Sequence, residues 1–270
     1  MNSKLKKRKS VKIFKSVIFA LFLREVKARF TSSQAGVFWT FFQPFITIFI
    51  FVYIHAITRS SEINANATIE YSIFLTAGII PFFLFKSILL RSVGAFSANR
   101  AIFIYKQIKP IDTIFARVVS EYFFSSAILI FFLLIAYFLN YDIKIKNLPM
   151  FAFAYLWLII FAFAWGLLLA IINSFYDWIK KLLDFSFLPL LLLSGVFFSL
   201  QTVADISPSI AKLLLYNPLI HFMELIHGSV SYSLDTKYVD YNYMLFWTFI
   251  PMGISLWLYI KIEKRIISSR

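Results

Sequence analysis

Long apolar runs alternate with shorter polar stretches along the chain. Six of these runs approach the length of about 20 residues that a helix needs to cross a hydrocarbon core of about 30 Å. They cover residues 37–57, 70–91, 113–139, 148–173, 182–200 and 241–260. Most of the loops between them are short, which leaves no stretch for a separate soluble domain. The pattern predicts an all-α integral membrane protein with six transmembrane helices in one bundle.

The segment ahead of the first run has a different pattern. Between residues 17 and 30 the apolar side chains fall within a narrow arc at 100° per residue, and the charged residues point elsewhere. These charged residues are Arg24, Glu25, Lys27 and Arg29. The arrangement predicts an amphipathic helix in the membrane interface, with its basic face toward headgroups or a partner and its apolar face in the acyl boundary. Small and polar residues then predict a break ahead of the first span. The expected regions are a basic N-terminus with this helix, a transmembrane domain and a tail, at 1–36, 37–260 and 261–270.

Two connecting segments also combine polar and apolar residues. The 92–112 loop carries basic residues beside large apolar ones and is too long for a simple connector, which predicts a short amphipathic helix. The 201–240 segment is half apolar although it connects two predicted spans. We therefore expect one or two short helices that re-enter the membrane there, broken at Pro208 and at Asn217-Pro218.

Composition and charge support a membrane protein and predict its orientation. Hydrophobic residues make up 60% of the chain, the mean hydropathy is +0.79 and only 15% of residues are charged. Of the 27 Lys and Arg residues, 20 lie on the side that holds both termini and five on the other. Because excess Lys and Arg mark the cytoplasmic side, we expect both termini in the cytoplasm and a basic surface that attracts membrane lipids rather than nucleic acid. No cleavable signal peptide is expected, and the absence of cysteine excludes disulfides and thiolate metal sites.

Missing motifs exclude several kinds of chemistry. The chain contains no G-x-x-x-x-G-K-[ST] sequence, so we expect no P-loop nucleotide site in it. His221, Glu224 and His227 form the densest group of possible metal ligands, but His227 lies well round a helix from His221, and we expect no metal site. The 13 acidic residues are scattered singly, which disfavours a lipid-dependent glycosyltransferase. An ion-coupled secondary transporter remains an alternative of another class, although no internal repeat supports it.

Charged residues inside predicted spans need a structural reason, because each costs about 2.5 to 3.5 kcal/mol at the bilayer centre. Lys86 is near the cytoplasmic end of its run, where its side chain can reach the interface. Arg117 and Glu121 are four residues apart at the start of the third run. This spacing places them on one face of a helix and predicts an intramembrane ion pair that fixes helix packing.

Three blocks of sequence resemble the membrane subunit of bacterial capsular polysaccharide exporters, the permease half of a type-2 ABC transporter. The first, "LREVKARFTSSQAGVFWTFFQP", matches at Arg24, Glu25, Lys27, Arg29, Gly36, Trp39 and Pro44. The second, "NRAIFIYKQIKPIDTIFARVVSEY", matches at Pro110, Asp112, Thr113, Ala116, Arg117 and Glu121. The third, "SGVFFSL" followed by "YNPLIHFMELI", matches at Ser194, Gly195, Asn217, Pro218, His221 and Glu224. The three blocks keep the family's order and spacing across nearly the whole chain. His227 is a departure, because a basic residue is expected more often at its position.

The resemblance implies a homodimer that exports a lipid-linked polysaccharide across the inner membrane, driven by two copies of a cytoplasmic ATPase subunit that hold ATP and Mg²⁺. It also implies periplasmic copolymerase and outer-membrane export proteins as further partners. Contacts that carry ATPase movement into the membrane are expected from the interfacial helix and the 95–109 segment, at Arg24, Glu25, Lys27, Arg29, Asn99, Arg100, Tyr105 and Lys106.

A passage lined by aromatic rings would suit a polysaccharide, since the C–H faces of sugars lie well on aromatic rings. Aromatic residues make up 20% of the chain. The residues expected along the pathway are Trp39, Phe42, Phe197, Tyr216, Asn217, His221 and Glu224. Export of O-antigen, teichoic acid or a small drug by the same fold remains an alternative.

Overall fold

The fold is built from α-helices, as the apolar runs predict. The computed structural model describes residues 10–32, 34–58, 65–105, 107–138 and 145–268. Within these ranges the helices are α1 (Ser10–Ser32), α2 (Gln34–Thr58), α3 (Ala65–Val93), α4 (Ala95–Ala98), α5 (Pro110–Phe138), α6 (Leu148–Asn173), α7 (Ile179–Leu193), α8 (Leu200–Ile206), α9 (Pro208–Leu214), α10 (Pro218–Val230) and α11 (Tyr241–Ser268). A 3₁₀ turn, Arg100–Ile104, follows α4.

Four helices among the described residues are long and apolar enough to cross a membrane. They lie in α3, α5, α6 and α11, and each overlaps one of the predicted runs. The helix α2 covers the first predicted run, and its apolar stretch Phe41–Ile54 is shorter. The predicted break spans residues 31–36. Within this stretch α1 continues to Ser32 and α2 begins at Gln34, and Ser33 between them lies outside the described residues.

Local sequence signals set several helix ends. The carboxylate of Asp112 accepts a hydrogen bond from the backbone N–H of Lys109 at 2.9 Å, which caps the start of α5 at Pro110. Helices α9 and α10 begin at Pro208 and Pro218, the two positions at which a break was predicted. The 201–240 segment therefore contains short helices as expected, but it holds α9, α10 and most of α8 rather than one or two.

The fifth predicted run, 182–200, is wrong at its C-terminal end. Helix α7 ends at Leu193, and a turn with Gly195 at φ 75° leads the chain into α8. The fifteen residues of α7 form a helix only about 22 Å long, which is shorter than the thickness of a hydrocarbon core, about 30 Å. Gly195 allows the chain to turn there because glycine adopts a positive φ at little cost. The residues around this turn are apolar, so hydropathy alone extends the predicted run past the end of α7.

Helix α6 lies at the centre of the bundle and contacts α3, α5, α10 and α11. Small residues allow the close approach: a Cβ on Gly166 would lie 2.8 Å from the Ser92 hydroxyl of α3. Helix α10 is buried on every side, from Leu219 to Val230. Its last turn joins the start of α6, where the backbone N–H of Asn147 donates to the carbonyl of Ser229 at 2.8 Å. Together these helices form the main hydrophobic core.

Replacing Gly195 with alanine tests the turn that ends α7. A Cβ there would sit at positive φ and 3.0 Å from Ile220 of α10, so we expect Gly195→Ala to cost about 1 to 2 kcal/mol of stability. The measurement is the apparent Tm of the detergent-solubilised protein. Gly253→Ala is the matched control, since a Cβ on that exposed helical glycine meets nothing within 4 Å. Equal melting of the two variants would contradict this account of the turn.

Candidate functional site

The inward face of α1 is charged. Its buried residues Leu21, Glu25 and Arg29 are spaced four apart and face α5, whereas Phe19 and Phe30 are exposed. Of the predicted apolar face, Phe22 and Val26 are half-buried. Its placement in the acyl boundary stays a prediction. The predicted basic face divides: Arg29 is buried in the bundle, and Arg24 and Lys27 lie at the surface.

Two buried carboxylates organise the charges around α1. Glu121 of α5 accepts hydrogen bonds from Arg29 and pairs with the guanidinium of Arg91 of α3 at 2.9 Å. Glu25 pairs with Arg117 of α5 at 3.2 Å and with Arg91 at 3.4 Å. Arg91 therefore joins the two carboxylates, and the cluster links α1, α3 and α5. We call these five residues, with Arg24, the ionic cluster.

The predicted ion pair between Arg117 and Glu121 is replaced by other partners. Arg117 forms an ion pair with Glu25, and Glu121 forms ion pairs with Arg29 and Arg91. Both Glu25 and Arg29 come from α1, 92 residues from their partners in sequence. Spacing within one helix identified two members of the cluster, but only the packing of α1 supplies their partners.

A cavity of about 340 Å³ adjoins the ionic cluster between α2, α3 and α5. Arg29, Lys86, Arg91 and Glu121 line its charged part. The remaining lining residues are uncharged: Trp39, Gln43, Pro44, Ile80, Phe83, Leu84, Ser87, Leu90, Phe124, Ser125 and Ile128. Sequence patterns did not indicate this cavity, because its lining residues come from four separate helices, α1, α2, α3 and α5.

The segment after α3 forms two short helical turns, in agreement with the predicted amphipathic loop. Phe96 and Phe103 are buried against the ends of α5, α6 and α11, whereas Ile104 and Tyr105 are 82% and 66% exposed. Arg100 is also exposed, and Lys106 lies outside the described residues. The turn therefore presents an exposed surface on a buried aromatic base.

Asn99 connects this turn to α1. Its side chain is buried, donates to the Ala95 carbonyl at 2.7 Å and accepts a hydrogen bond from Arg24. Arg24 is also 3.6 Å from Glu25. Two residues predicted to take part in coupling are thus in direct contact, and they join the turn to the ionic cluster.

Predicted pathway residues in the 201–240 segment bond to the backbone. Asn217 caps α10 and donates to the Leu193 carbonyl at 3.1 Å. His221 is buried, with Nε2 3.0 Å from the Leu215 carbonyl and Nδ1 accepting from the Asp240 N–H at 3.2 Å. The buried Glu224 accepts a hydrogen bond from the N–H of Leu200. These side chains fix the positions of α7 to α11. Contact between any of the three and a polymer stays a prediction.

The predicted aromatic residues do not form one group in this chain. Trp39 is 57% exposed and packs with the half-buried Phe42 on α2, with ring centroids 5.4 Å apart. Phe197 stacks on Phe51, with ring centroids 4.0 Å apart, and Tyr216 is 76% exposed. The structure therefore brings two of the four predicted rings, Trp39 and Phe42, into contact.

The described residues hold no group of three His, Cys, Asp or Glu side chains that could bind a metal ion. His227, the third residue considered for a metal site, stacks on Phe74 with ring centroids 3.8 Å apart. A Cβ on Gly78 would lie 2.8 Å from its ring, so α3 and α10 are in close contact there.

Neutralising Glu121 tests the ionic cluster. Glu121→Gln leaves the charge of Arg29 buried without a carboxylate at that position, and we expect a loss of about 3 kcal/mol of stability. The measurement is the folded fraction that survives heating in detergent. The double variant Arg29→Gln/Glu121→Gln should recover most of the loss, and the exposed Asp184→Asn should behave as wild type. A single variant that melts with wild type would show that the cluster does not hold α1.

Comparisons with known proteins identify the family of this chain. The chain is 32% identical to the polysialic acid transport protein KpsM of Escherichia coli over 266 residues, covering 97% of this chain and 99% of the relative. It is 28% identical to the capsule polysaccharide export inner-membrane protein BexB of Haemophilus influenzae, over 82% of each chain. Identity to the protein of the same description, CtrC, from Neisseria meningitidis is 24% over 94% of each. The model of the ABC-2 type transporter family matches residues 16–230, and the chain belongs to this family.

Proposed function

We propose that this chain is the permease of an ATP-driven exporter that moves a lipid-linked capsular polysaccharide across the bacterial inner membrane. The observation that carries the proposal is the match to KpsM along nearly the full length of both chains. BexB and CtrC, whose names also describe capsule export, match over most of their length. ATP and Mg²⁺ belong to a separate ABC ATPase subunit, because the chain has no P-loop.

The proposed assembly is a homodimer of six-span protomers with two ATPase subunits, both termini of each protomer being cytoplasmic. Four long apolar helices support four of these spans, and α2 and α7 would supply the others. Because α7 rises only about 22 Å, it would complete a crossing together with the buried α10 and its flanking turns. The excess of Lys and Arg on the side of the termini supports the orientation.

The turn at 95–105 is the proposed contact with the ATPase. Ile104, Tyr105 and Arg100 are exposed there, on a base anchored by buried aromatic residues. Movement of the turn would reach α1 through the Arg24–Asn99 hydrogen bond, and then α3 and α5 through the ionic cluster. The predicted coupling residues Glu25 and Arg29 would therefore act inside the protomer, and Arg100 and Tyr105 at the ATPase surface.

The polymer pathway is proposed between protomers, beside α2 and α7. Exposed rings on α2 support this placement, among them Trp39, Phe49 and Tyr53. The 201–240 segment would form the outer mouth, where Tyr216 is exposed. Periplasmic copolymerase and outer-membrane export proteins would receive the polymer there.

A charge reversal at the exposed turn tests the coupling contact. We expect Arg100→Glu to reduce co-purification of the cognate ATPase subunit by about tenfold, because a charged hydrogen bond contributes about 1.5 kcal/mol or more. Folding should be unaffected, since Arg100 is exposed. Lys212→Glu, an exposed residue of α9 on the opposite side, is the control. Undiminished ATPase binding by Arg100→Glu would remove the turn from the interface.

Deletion of the gene in its own host tests the exported substrate. We expect surface polysaccharide to disappear while the polymer accumulates inside the cell, and expression of the wild-type chain to restore export. The measurement is surface and intracellular polymer, detected by antibody or dye. Normal surface capsule in the deletion strain would contradict the proposed function.

A further inference from the structure

The cavity between α2, α3 and α5 is charged at one end and apolar at the other. On α3 its walls run from Arg91 back to Ile80, a distance of about 16 Å along the helix axis. On α5 they run from Glu121 to Ile128, about 10 Å in the same direction from the ionic cluster. Ile80, Leu84 and Ile128 line the end away from the cluster. A cavity with one charged and one apolar end suits an amphiphile whose headgroup lies near the ionic cluster.

The charged end has an excess of positive charge. Among the described residues, three cations, Arg29, Lys86 and Arg91, and one carboxylate, Glu121, line the cavity. Glu25 does not restore balance, because it also pairs with Arg117 and lies 3.6 Å from Arg24. A cationic excess in a partly apolar site is unfavourable until an anion joins it.

Two of the cations retain capacity for a ligand. Arg29 is only 7% exposed, and its buried Nε–H has no hydrogen-bond partner among the described residues. Among the described ion pairs Lys86 has no carboxylate partner; its ammonium lies 5.7 Å from the ring centres of Phe83 and Phe187. An ammonium and a guanidinium are both suited to phosphate oxygens.

The cavity is also accessible along α2. Trp39 and Gln43 line it and are exposed, so it reaches the surface of the protomer on the side of that helix. An indole on the rim of a headgroup site is typical of the membrane interface. The occupant therefore can enter from the surrounding lipid.

We propose that this cavity binds the phosphate-bearing headgroup of a membrane lipid, with the phosphate between Arg29, Lys86 and Arg91 and an acyl chain toward Ile80 and Ile128. Two sources share this chemistry: an anionic phospholipid of the bilayer, and the lipid anchor of the exported polymer. The assignment to the anchor rests on the proposed function, whereas lipid binding by the cavity does not.

Binding is tested on the full-length chain in detergent by native mass spectrometry. The probes are dioleoyl-phosphatidylglycerol, dioleoyl-phosphatidylcholine and inorganic phosphate. We expect retention of the anionic lipid over the zwitterionic one, no displacement by millimolar phosphate, and about tenfold weaker retention by Lys86→Gln. Lys86 is chosen because it lies outside the ion pairs of the cluster, and the exposed Lys180→Gln is the matched control.

The outcomes separate the possible occupants. Equal retention of both lipids, or retention that Lys86→Gln leaves unchanged, overturns the site. Displacement by inorganic phosphate shows a free-anion site and overturns the role of the apolar end. If Lys86→Gln loses lipid and also lowers surface polysaccharide in the complemented deletion strain, the result supports the anchor as the occupant. If lipid is lost while export stays at the wild-type level, the assignment to the anchor fails and a bilayer phospholipid remains.

Discussion

Two buried carboxylates, Glu25 and Glu121, hold α1 against the rest of the protein. Helix α1 exposes much of its apolar surface, so hydrophobic burial against the bundle provides only part of its attachment. Guanidinium groups from α3 and α5 lie 2.9 to 3.4 Å from these carboxylates, and Arg29 of α1 donates a hydrogen bond to Glu121. Burying such charges is favourable only when each finds a partner with good geometry, and the position of α1 is therefore narrowly defined.

The ionic cluster also connects two other parts of the molecule. Through Asn99 and Arg24 it is continuous with the turn proposed to contact the ATPase, and through its cations it forms one end of the cavity beside α2. A displacement of that turn would change the geometry around Glu25 first. Under the proposed function, the same charges that position α1 would place ATPase movement next to the site proposed for a lipid headgroup.

The segment that contains the short helices α8, α9 and α10 is stabilised in a different way. There α10 is buried on all sides, and the polar groups of Asn217, His221 and Glu224 are used by backbone N–H and carbonyl groups at breaks between short helices. Short helices leave many backbone groups without internal partners, and those groups are costly to bury unbonded. The residues of this segment that carry the resemblance to capsular polysaccharide exporters thus have a structural role that explains their positions.

The sequence by itself determined the helical class, the approximate limits of the long spans, the breaks at Pro208 and Pro218, and the amphipathic character of the segment after α3. These follow from local physics: run length, helical periodicity, and the inability of proline to continue a helix. Tertiary structure alone decided that Arg117 pairs with Glu25, that Glu121 pairs with Arg29 and Arg91, and that residues of four helices line a cationic cavity. It also decided that α7 stops before Gly195 and that His221 and Glu224 are buried. Periodicity shows which residues share a face of a helix, but the neighbour that this face meets depends on contacts between segments up to 92 residues apart.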